Sequence, residues 1–300
     1  MSTSAKWVLG IAIVVLFFFG IFILMMLSWL FSEPYDDTLS TSGEKVAVVE
    51  INDIIFSSDD IVRQFKKYRE NKSVRAIVFR VNSPGGGVAA SQEIFEEVKK
   101  TRNSNKPVVV SMGEVAASGG YYVSIGADKI VANPGTLTGS IGVIIQHLQA
   151  DELMKKIGLE AQTYKSGRFK DLGSPFRKST EDEKKFFDQL ITNVYEQFVE
   201  DIVEARGMER AHVLRYADGR VFTGEQAVEY GFIDTLGTME DAIAIAAEMG
   251  GIDGTPRIVR ERKRRPFIDR FFGESISEIS TLKKEFLNQP ILQYRLHIPF

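Results

Sequence analysis

An uncharged stretch near the start of the chain constrains its fold more than any other feature. The 25 residues from Trp7 to Phe31 include no Asp, Glu, Lys or Arg, and 22 of them are hydrophobic, the exceptions being Gly10, Gly20 and Ser28. A helix of that length rises ~37 Å at ~1.5 Å per residue. The hydrocarbon core of a bilayer is ~30 Å thick. The sequence therefore predicts one N-terminal transmembrane helix joined to a water-soluble body.

The alternative interpretation of this stretch is a cleaved signal peptide. Such peptides have an apolar core of ~7–15 residues followed by a cleavage site of small residues. This stretch is longer and no such site follows it, so residues 1–31 are predicted to be a cytoplasmic N-terminus and an uncleaved single-pass anchor. Lys6 precedes the stretch, whereas Glu33 and Asp36 follow it. The positive-inside rule then places residues 1–6 in the cytoplasm and the body outside the cell membrane.

Composition excludes several kinds of chemistry. The 300 residues contain no Cys, which excludes a thiol nucleophile, a disulfide framework and a Cys-ligated zinc site. The three histidines, His147, His212 and His297, lack the spacing of a metal-binding pair. A Ser-His-Asp triad has no local support, although spacing does not exclude it. A net charge of −3 argues against a nucleic-acid partner, and no metal or cofactor is predicted.

The rest of the chain divides into three parts. Residues 32–44 are polar and aperiodic and are predicted to be a linker, 45–254 form the main domain, and 255–300 form a basic and then apolar tail. Residues 256–300 carry ten Lys or Arg and five acids, so the tail has a charge of +5 and the remainder has −8. The basic run Arg260–Arg265 fits a solvated linker, a lipid headgroup contact or a processing site. The last residues, Pro290–Phe300, are too apolar for an ordinary free tail, so this segment is predicted to dock on another surface.

Within the main domain, short β-branched runs alternate with helical patterns, which is typical of an α/β fold. The predicted strands are Val46–Ile51, Ala76–Val81, Val108–Ser111, Ile130–Val131 and Ile141–Ile145. The predicted helices are Asp59–Glu70, Ser91–Lys100, Ala116–Ile125, Asp151–Ile157, Thr223–Tyr230, Met239–Met249 and a long one after Thr180, whose apolar stripe runs from Phe186 to Val203. That stripe is expected to pack on the sheet and is wide enough to contact a second subunit as well.

Two glycine-rich turns, each after a predicted strand, mark the candidate site. The first contains Gly85, Gly86 and Gly87, and the second contains Ser118 followed by Gly119. Glycines allow close approach of a ligand to the backbone, and the free N–H groups at a helix start favour negative charge. One N–H group from each turn would form an oxyanion hole around a carbonyl attacked by Ser118. The competing interpretation is that Ser118 caps a helix and that the glycines serve packing.

A serine nucleophile needs a base, and lysine is the alternative to the unsupported histidines. The ordinary pKa of Lys is ~10.4, so a lysine base must be desolvated to be neutral near pH 7. Lys165 and Lys170 lie in the segment Y-K-S-G-R-F-K-D and are both candidates.

Four motifs in order resemble the short form of bacterial signal peptide peptidase A, a group of membrane-anchored Ser-Lys proteases in peptidase family S49. The motifs are N-S-P-G-G-G, M-G-E-V-A-A-S-G-G-Y-Y, T-L-T-G-S-I-G-V and Y-K-S-G-R-F-K-D, and the resemblance runs from about Val46 to Gly237. It implies a ClpP/crotonase-like fold with a repeated ββα core. It also implies a homo-oligomer, in the short form a dome of eight subunits.

The resemblance also implies roles for individual residues. Ser118 matches the nucleophile and Lys170 the general base, with Lys165 as the alternative alignment. Ser140, in T-G-S-I-G, matches a residue that orients the lysine amine. The oxyanion hole is expected to consist of the N–H groups of Gly85 and Gly119. Gly86 is the second candidate, close behind Gly85, for the donor from the first turn.

The sequence thus predicts a membrane-anchored serine endopeptidase that degrades cleaved signal peptides and similar apolar peptides. Two other functions stay open, a non-catalytic envelope scaffold and acyl-CoA chemistry on the same fold. A further hypothesis concerns the tail: the stretch Pro290–Phe300, or the region near Phe271, occupies the enzyme's own substrate groove and is trimmed by it.

Overall fold

The apolar N-terminal stretch forms helix α1, Thr3–Leu30. The computed structural model describes residues 3–30, 43–261 and 292–296, and the chain divides into two units between Thr41 and Ser42, inside the predicted linker. Over the described residues, none of the helices qualifies as a membrane span. The anchor and its orientation stay predictions.

The second unit alternates strands and helices as predicted. Its strands are β1 Lys45–Asn52, β2 Val74–Ser83, β3 Gly85–Gly87, β4 Val108–Ala117, β5 Lys129–Ala132, β6 Leu137–Gly139, β7 Val221–Thr223, β8 Thr235–Leu236, β9 Arg257–Arg260 and β10 Gln293–Arg295. Its helices are α2 Asp59–Glu70, α3 Val88–Asn103, α4 Gly119–Ser124, α5 Asp151–Lys156, α6 Glu181–Arg206, α7 Arg210–Tyr216, α8 Gly224–Glu229 and α9 Met239–Met249.

Eight of the strands form one sheet in the order β7-β6-β4-β2-β1-β9, with β5 beside β4 and β8 beside β5. Every pairing in it is parallel except that of β6 with β7. Parallel strands need crossover connections, and helices supply most of them here. The predicted α/β class is confirmed.

Helices cover both faces of the sheet, and the strands therefore read as continuous apolar runs. In β1, Ala47 and Val49 join the larger core, which includes residues of α2, α3, α4 and α6. Val46 and Val48 point to the opposite face, where they pack with residues of α9. Each fully buried Val, Ile or Phe side chain contributes roughly 1.5–3 kcal/mol, so these two cores stabilise the platform that carries the site.

Two sequence predictions near the site are wrong. Ala116 and Ala117 were expected in a helix, but they end β4, because residues 115–117 pair with Leu137–Gly139 and are held extended. The predicted strand Ile141–Ile145 is reduced to an isolated bridge at Ile144. The strand that forms in this region is β6, which ends just before the predicted one. Ser140 follows β6 directly and has a positive φ of 51°.

Helix α6 begins at the predicted cap. The Thr180 side chain accepts a hydrogen bond from the Glu183 N–H group at 3.2 Å, and the Glu183 carboxylate accepts from the Thr180 N–H group at 2.8 Å. The helix ends at Gly207 in the left-handed conformation, with φ of 62°. Val194, Phe198 and Ile202 of the predicted stripe are buried, as expected for a helix packed on the sheet.

The sheet continues past the predicted end of the main domain at residue 254. Strand β9 pairs in parallel with β1, with Arg257 opposite Lys45. Arg260 contacts Glu50 at 3.2 Å, and the rest of the basic run lies outside the described residues. The predicted docking of the apolar tail is confirmed for residues 292–296, because β10 pairs with β3.

Candidate active site

Ser118 lies where β4 ends and α4 begins. Its side chain is almost fully buried, at 1% exposure. Its φ of 54° and ψ of −114° lie in a region that non-glycine residues rarely adopt, at a cost of about 1–3 kcal/mol. Two hydrogen bonds hold this conformation: the Ser118 N–H group donates to the Gly139 carbonyl at 2.7 Å, and its carbonyl accepts from the Tyr122 N–H group at 2.8 Å.

The capping interpretation of Ser118 does not hold. Although Ser118 occupies the N-cap position of α4, its side chain makes no capping hydrogen bond. In Thr180, Thr223 and Thr238, by contrast, the hydroxyl accepts from a backbone N–H group three residues later. The Ser118 hydroxyl is therefore not used to cap the start of the helix.

Ser140 lies beside Ser118. The two residues follow adjacent parallel strands, since Ala117 pairs with Gly139 in the register of β4 and β6. Ser140 also has a positive φ, 51°, is 6% exposed, and donates its N–H group to the Arg220 carbonyl at 2.8 Å. The structure thus brings together two of the side chains predicted for the site.

The two glycine turns meet at backbone distance. A Cβ atom on Gly85 would lie 2.7 Å from the Gly119 nitrogen, and one on Gly119 would lie 3.1 Å from the Gly85 Cα atom. A Cβ atom on Gly120 would lie 2.5 Å from the Ser83 carbonyl oxygen. Glycine is required here because any side chain would force the turns apart, and Gly85 also has a φ of 99°.

The hydrogen bonds of the first turn distinguish Gly86 from Gly85. The Gly85 N–H group already donates to the Ser83 hydroxyl at 3.1 Å. Gly86 pairs with Tyr294 in the antiparallel ladder between β3 and β10. This geometry favours Gly86 over the predicted Gly85 as an oxyanion donor.

The C-terminal strand β10 lies against this turn as an extended peptide would. The Val88 N–H group donates to the Leu292 carbonyl at 3.4 Å, and the Leu296 N–H group donates to the Pro84 carbonyl at 2.8 Å. Hydrogen-bonded pairs recur every second residue in an antiparallel ladder. Gly86 and Tyr294 therefore form the hydrogen-bonded pair that lies between Val88–Leu292 and Pro84–Leu296. On its other edge β10 exchanges two hydrogen bonds with Ile144, at 3.1 and 3.2 Å, through Gln293.

Tyr294 fills a buried pocket next to the site. Its ring is 0% exposed and lies 5.1 Å from the Tyr122 ring and 4.7 Å from the Phe198 ring, and its hydroxyl donates to the Val194 carbonyl at 3.1 Å. Burial raises the pKa of the Tyr294 hydroxyl, so it stays protonated. Its carbonyl oxygen faces both turns, at 2.0 and 3.0 Å from the Cβ positions of Gly85 and Gly119. The sequence predicted a docked tail, but no pattern in it indicated this pocket.

Neither candidate lysine is bonded to this cluster in the described part of the chain. Lys170 is exposed, and within the described part of the chain it makes no hydrogen bond with Ser118 or Ser140. Lys165 donates to the Asp171 carboxylate at 2.6 Å and to the Arg168 carbonyl at 3.1 Å. The Lys165 amine is thus held by a carboxylate and a main-chain carbonyl, which argues against Lys165 as the base.

No group of three or more His, Cys, Asp or Glu residues that could hold a metal ion occurs in residues 3–30, 43–261 and 292–296. What the arrangement offers is a buried hydroxyl, a second hydroxyl beside it, and backbone N–H groups from two turns. These are the parts that acyl transfer needs, apart from the base.

Comparisons with protein families place this cluster in a known context. The sequence model of Peptidase family S49 matches residues 100–253, which include Ser118, Ser140 and Lys170. The model of Clp protease matches residues 45–138, which include both glycine turns.

Two relatives with protease names align over most of this chain. A protein of Enterococcus faecium named "Putative signal peptide peptidase SppA" is 35% identical over 267 residues, covering 84% of this chain and 78% of that one. Protease 4 of Haemophilus influenzae is 32% identical over 253 residues, covering 79% of this chain and 39% of that one. A ClpP1 mutant structure from Listeria monocytogenes aligns with a TM-score of 0.45 at 19% identity, covering 65% of this chain and 93% of that one.

The contact between the turns gives a first prediction. We expect Gly119→Ala to lower kcat/KM for peptide hydrolysis by about 10²–10³-fold, the effect of losing one oxyanion donor. The added methyl group would lie 2.8 Å from the Ser91 hydroxyl oxygen and 3.1 Å from Gly85, which displaces the N–H group. Gly135→Ala is the control, because its Cβ would have no atom within 4 Å. Wild-type activity in folded Gly119→Ala protein would exclude this N–H group from the reaction.

Proposed function

Because this chain belongs to peptidase family S49, we propose that it is a membrane-anchored endopeptidase in which Ser118 and Lys170 form a Ser-Lys dyad. Family membership makes the chain a serine protease and thus a hydrolase. The proposal goes further, to the dyad, the anchor and the substrates, which are cleaved signal peptides and similar apolar peptides. The observation that carries it is the strained, buried Ser118 between two glycine turns, with a peptide strand paired alongside.

In the proposed reaction, neutral Lys170 accepts the Ser118 proton while the serine oxygen attacks the substrate carbonyl. The N–H groups of Gly119 and of Gly86, or Gly85, stabilise the negative oxygen of the tetrahedral intermediate. The C–N bond breaks as Lys170 returns the proton to the leaving amine. Water then attacks the acyl-enzyme ester, giving up a proton to Lys170, and Ser118 recovers that proton. No metal or cofactor enters these steps.

Substrate binding by strand addition is supported by β10. An extended peptide would pair with Gly85–Gly87 on one edge and with Ile144 on the other, so main-chain hydrogen bonds supply affinity for any sequence. Side chains then supply selectivity through the pocket walled by the Tyr122 and Phe198 rings, where the Val194 carbonyl accepts a hydrogen bond from the Tyr294 hydroxyl. Such a pocket suits the aromatic and aliphatic residues of signal peptides.

Assembly of several copies would account for the exposed base. A lysine must lose solvent to be neutral near pH 7, and Lys170 is exposed in the single chain. Large apolar side chains in the preceding segment, residues 148–164, are also exposed, among them Leu148 at 77%, Leu153 at 60% and Tyr164 at 92%. We propose that a ring-like homo-oligomer with the repeated ββα units of the ClpP/crotonase-like fold, an octamer by resemblance, covers this surface.

The proposed location is the cell membrane, with a single-pass anchor, a cytoplasmic N-terminus and an extracytoplasmic catalytic domain. Tethering raises the effective concentration of the site near peptides held in the same bilayer.

Two other functions are less well supported. A non-catalytic envelope scaffold has no need for a strained serine between two backbone donors. Acyl-CoA chemistry on the same fold would require a site for the nucleotide of CoA, and failure of the protein to bind any CoA thioester would exclude it.

Substitution of the proposed dyad tests the mechanism. In the soluble body, residues 45–300, we expect Ser118→Ala and Lys170→Ala each to lower kcat by at least about 10³-fold, since the two groups act as a unit. Lys165→Ala is the matched control from the same loop and should retain activity. Hydrolysis of a fluorogenic apolar peptide provides the measurement, and full activity in Lys170→Ala would overturn the assignment of the base.

Removal of the tail tests occupancy of the groove. Truncation after residue 291 should lower KM for short peptides, by about tenfold if the tail occupies the groove nine-tenths of the time, because the peptide then has no competitor. The value of kcat should not change. An unchanged KM would mean that β10 does not block substrate.

Self-trimming is tested separately by mass. If the active protein trims its own tail, its C-terminus is shorter than that of Ser118→Ala protein prepared in the same way. Identical masses would refute the hypothesis.

A further inference from the structure

The loop that carries both lysines is held by one cluster of charges. Asp171 accepts hydrogen bonds from Arg177 Nε at 2.8 Å, from Arg177 Nη2 at 2.7 Å and from Lys165 Nζ at 2.6 Å. Arg177 Nη1 also donates to Glu183 in the first turn of α6, at 2.8 Å. We call Asp171, Arg177 and Glu183 the charge clamp.

The clamp differs from the ion pairs around it in burial and geometry. The side chains of Arg168 and Asp182 are 71% and 57% exposed, and such surface pairs contribute little to stability. In the clamp, Asp171 and Glu183 are 10% and 3% exposed, and Arg177 bridges both carboxylates. The Arg177 guanidinium lowers the pKa of Glu183 to about 2 and holds the pKa of Asp171 well below its usual range. Both carboxylates are therefore ionised across the working pH range of a peptidase.

The clamp fixes the backbone on one side of Lys170, and a ring contact fixes the other. Asp171 follows Lys170 directly, while Phe169 precedes it and stacks on Phe186 of α6 at 5.2 Å between ring centres. The Lys170 N–H group donates to the Gly167 carbonyl at 3.1 Å. The main chain at Lys170 is thus tied to the start of α6, although its side chain is exposed.

We propose that the charge clamp positions the catalytic base: Arg177 anchors the Lys170 backbone to α6 through Asp171, and Asp171 engages Lys165 so that Lys170 is the lysine that serves as the base. This inference rests on the proposed function, in which Lys170 accepts the Ser118 proton. Asp171 and Arg177 are positioning residues, because they act through the loop and not on the substrate. Neither residue was predicted from the sequence to belong to the site.

The test uses the full chain in detergent micelles with a fluorogenic apolar peptide. Arg177→Lys keeps the charge but loses the planar fork that donates to two carboxylates at once, and Asp171→Asn keeps the shape but removes the charge that holds Lys165 and Arg177. We expect kcat to fall by about 10–100-fold in each, the effect of a displacement of about 1 Å, with little change in KM. We also expect the acid limb of the pH profile of kcat/KM to move to higher pH, since a displaced amine is more solvated and needs a higher pH to lose its proton.

Lys178→Gln is the matched control. Lys178 is adjacent to Arg177 and pairs with Glu152 at 3.0 Å, but both side chains are more than two-thirds exposed, at 68% and 70%. This variant removes one positive charge from the same loop without touching the clamp, so it should keep wild-type kcat and the wild-type pH profile.

The outcomes separate the clamp from the proposed function. Activity in Lys170→Ala equal to wild type would show that the proposed function itself is wrong. If Lys170→Ala is inactive while folded Arg177→Lys and Asp171→Asn keep wild-type kcat, only the clamp is refuted. A loss of kcat that matches the loss of folded protein by circular dichroism, with an unmoved pH limb, would also overturn it as a merely structural effect. Asp171→Asn keeps the test available if Arg177→Lys does not fold.

Discussion

The backbone hydrogen bond from Ser118 to Gly139 is the interaction on which the site depends. It turns the chain at the end of β4 into a conformation that serine on its own disfavours, and it can form only because β6 pairs with the last three residues of β4. The same pairing brings Ser140 next to Ser118. The sheet core, buried on both faces, supplies the stability that keeps this local strain in place.

Much of this arrangement could be predicted from local patterns. The central strands are buried on both faces, so each reads as a β-branched run, and α6 has a capping box followed by an apolar stripe. The glycines were informative because two turns that touch leave no room for a Cβ atom. Strand β6 was missed since its three residues, Leu137–Gly139, have no pattern of their own and become a strand only through pairing with β4 and β7.

What could not be predicted depends on contacts between distant residues. The choice between Gly85 and Gly86 follows from the Ser83 hydroxyl, which takes the Gly85 N–H group and leaves Gly86 opposite β10. The pocket that holds Tyr294 is assembled from α4, α6 and the tail, whose contacting residues Tyr122, Phe198 and Tyr294 are more than 70 positions from one another in sequence. Likewise, nothing in the segment Y-K-S-G-R-F-K-D reveals that Asp171 binds Lys165.

The proposed nucleophile and the proposed base are under opposite constraints, which would explain why they lie on different kinds of structure. Ser118 is held by the sheet, where a fixed geometry can carry strain and aim backbone donors. A lysine base needs a changeable environment, since its charge must be stable in water and unstable beside the serine. A loop tied to α6 on both sides of Lys170 meets that need. The ties limit the positions that the amine can reach, while its solvation depends on the proposed neighbouring subunit that would cover it. In such a design, coverage by that subunit controls catalysis without any change in the geometry around Ser118.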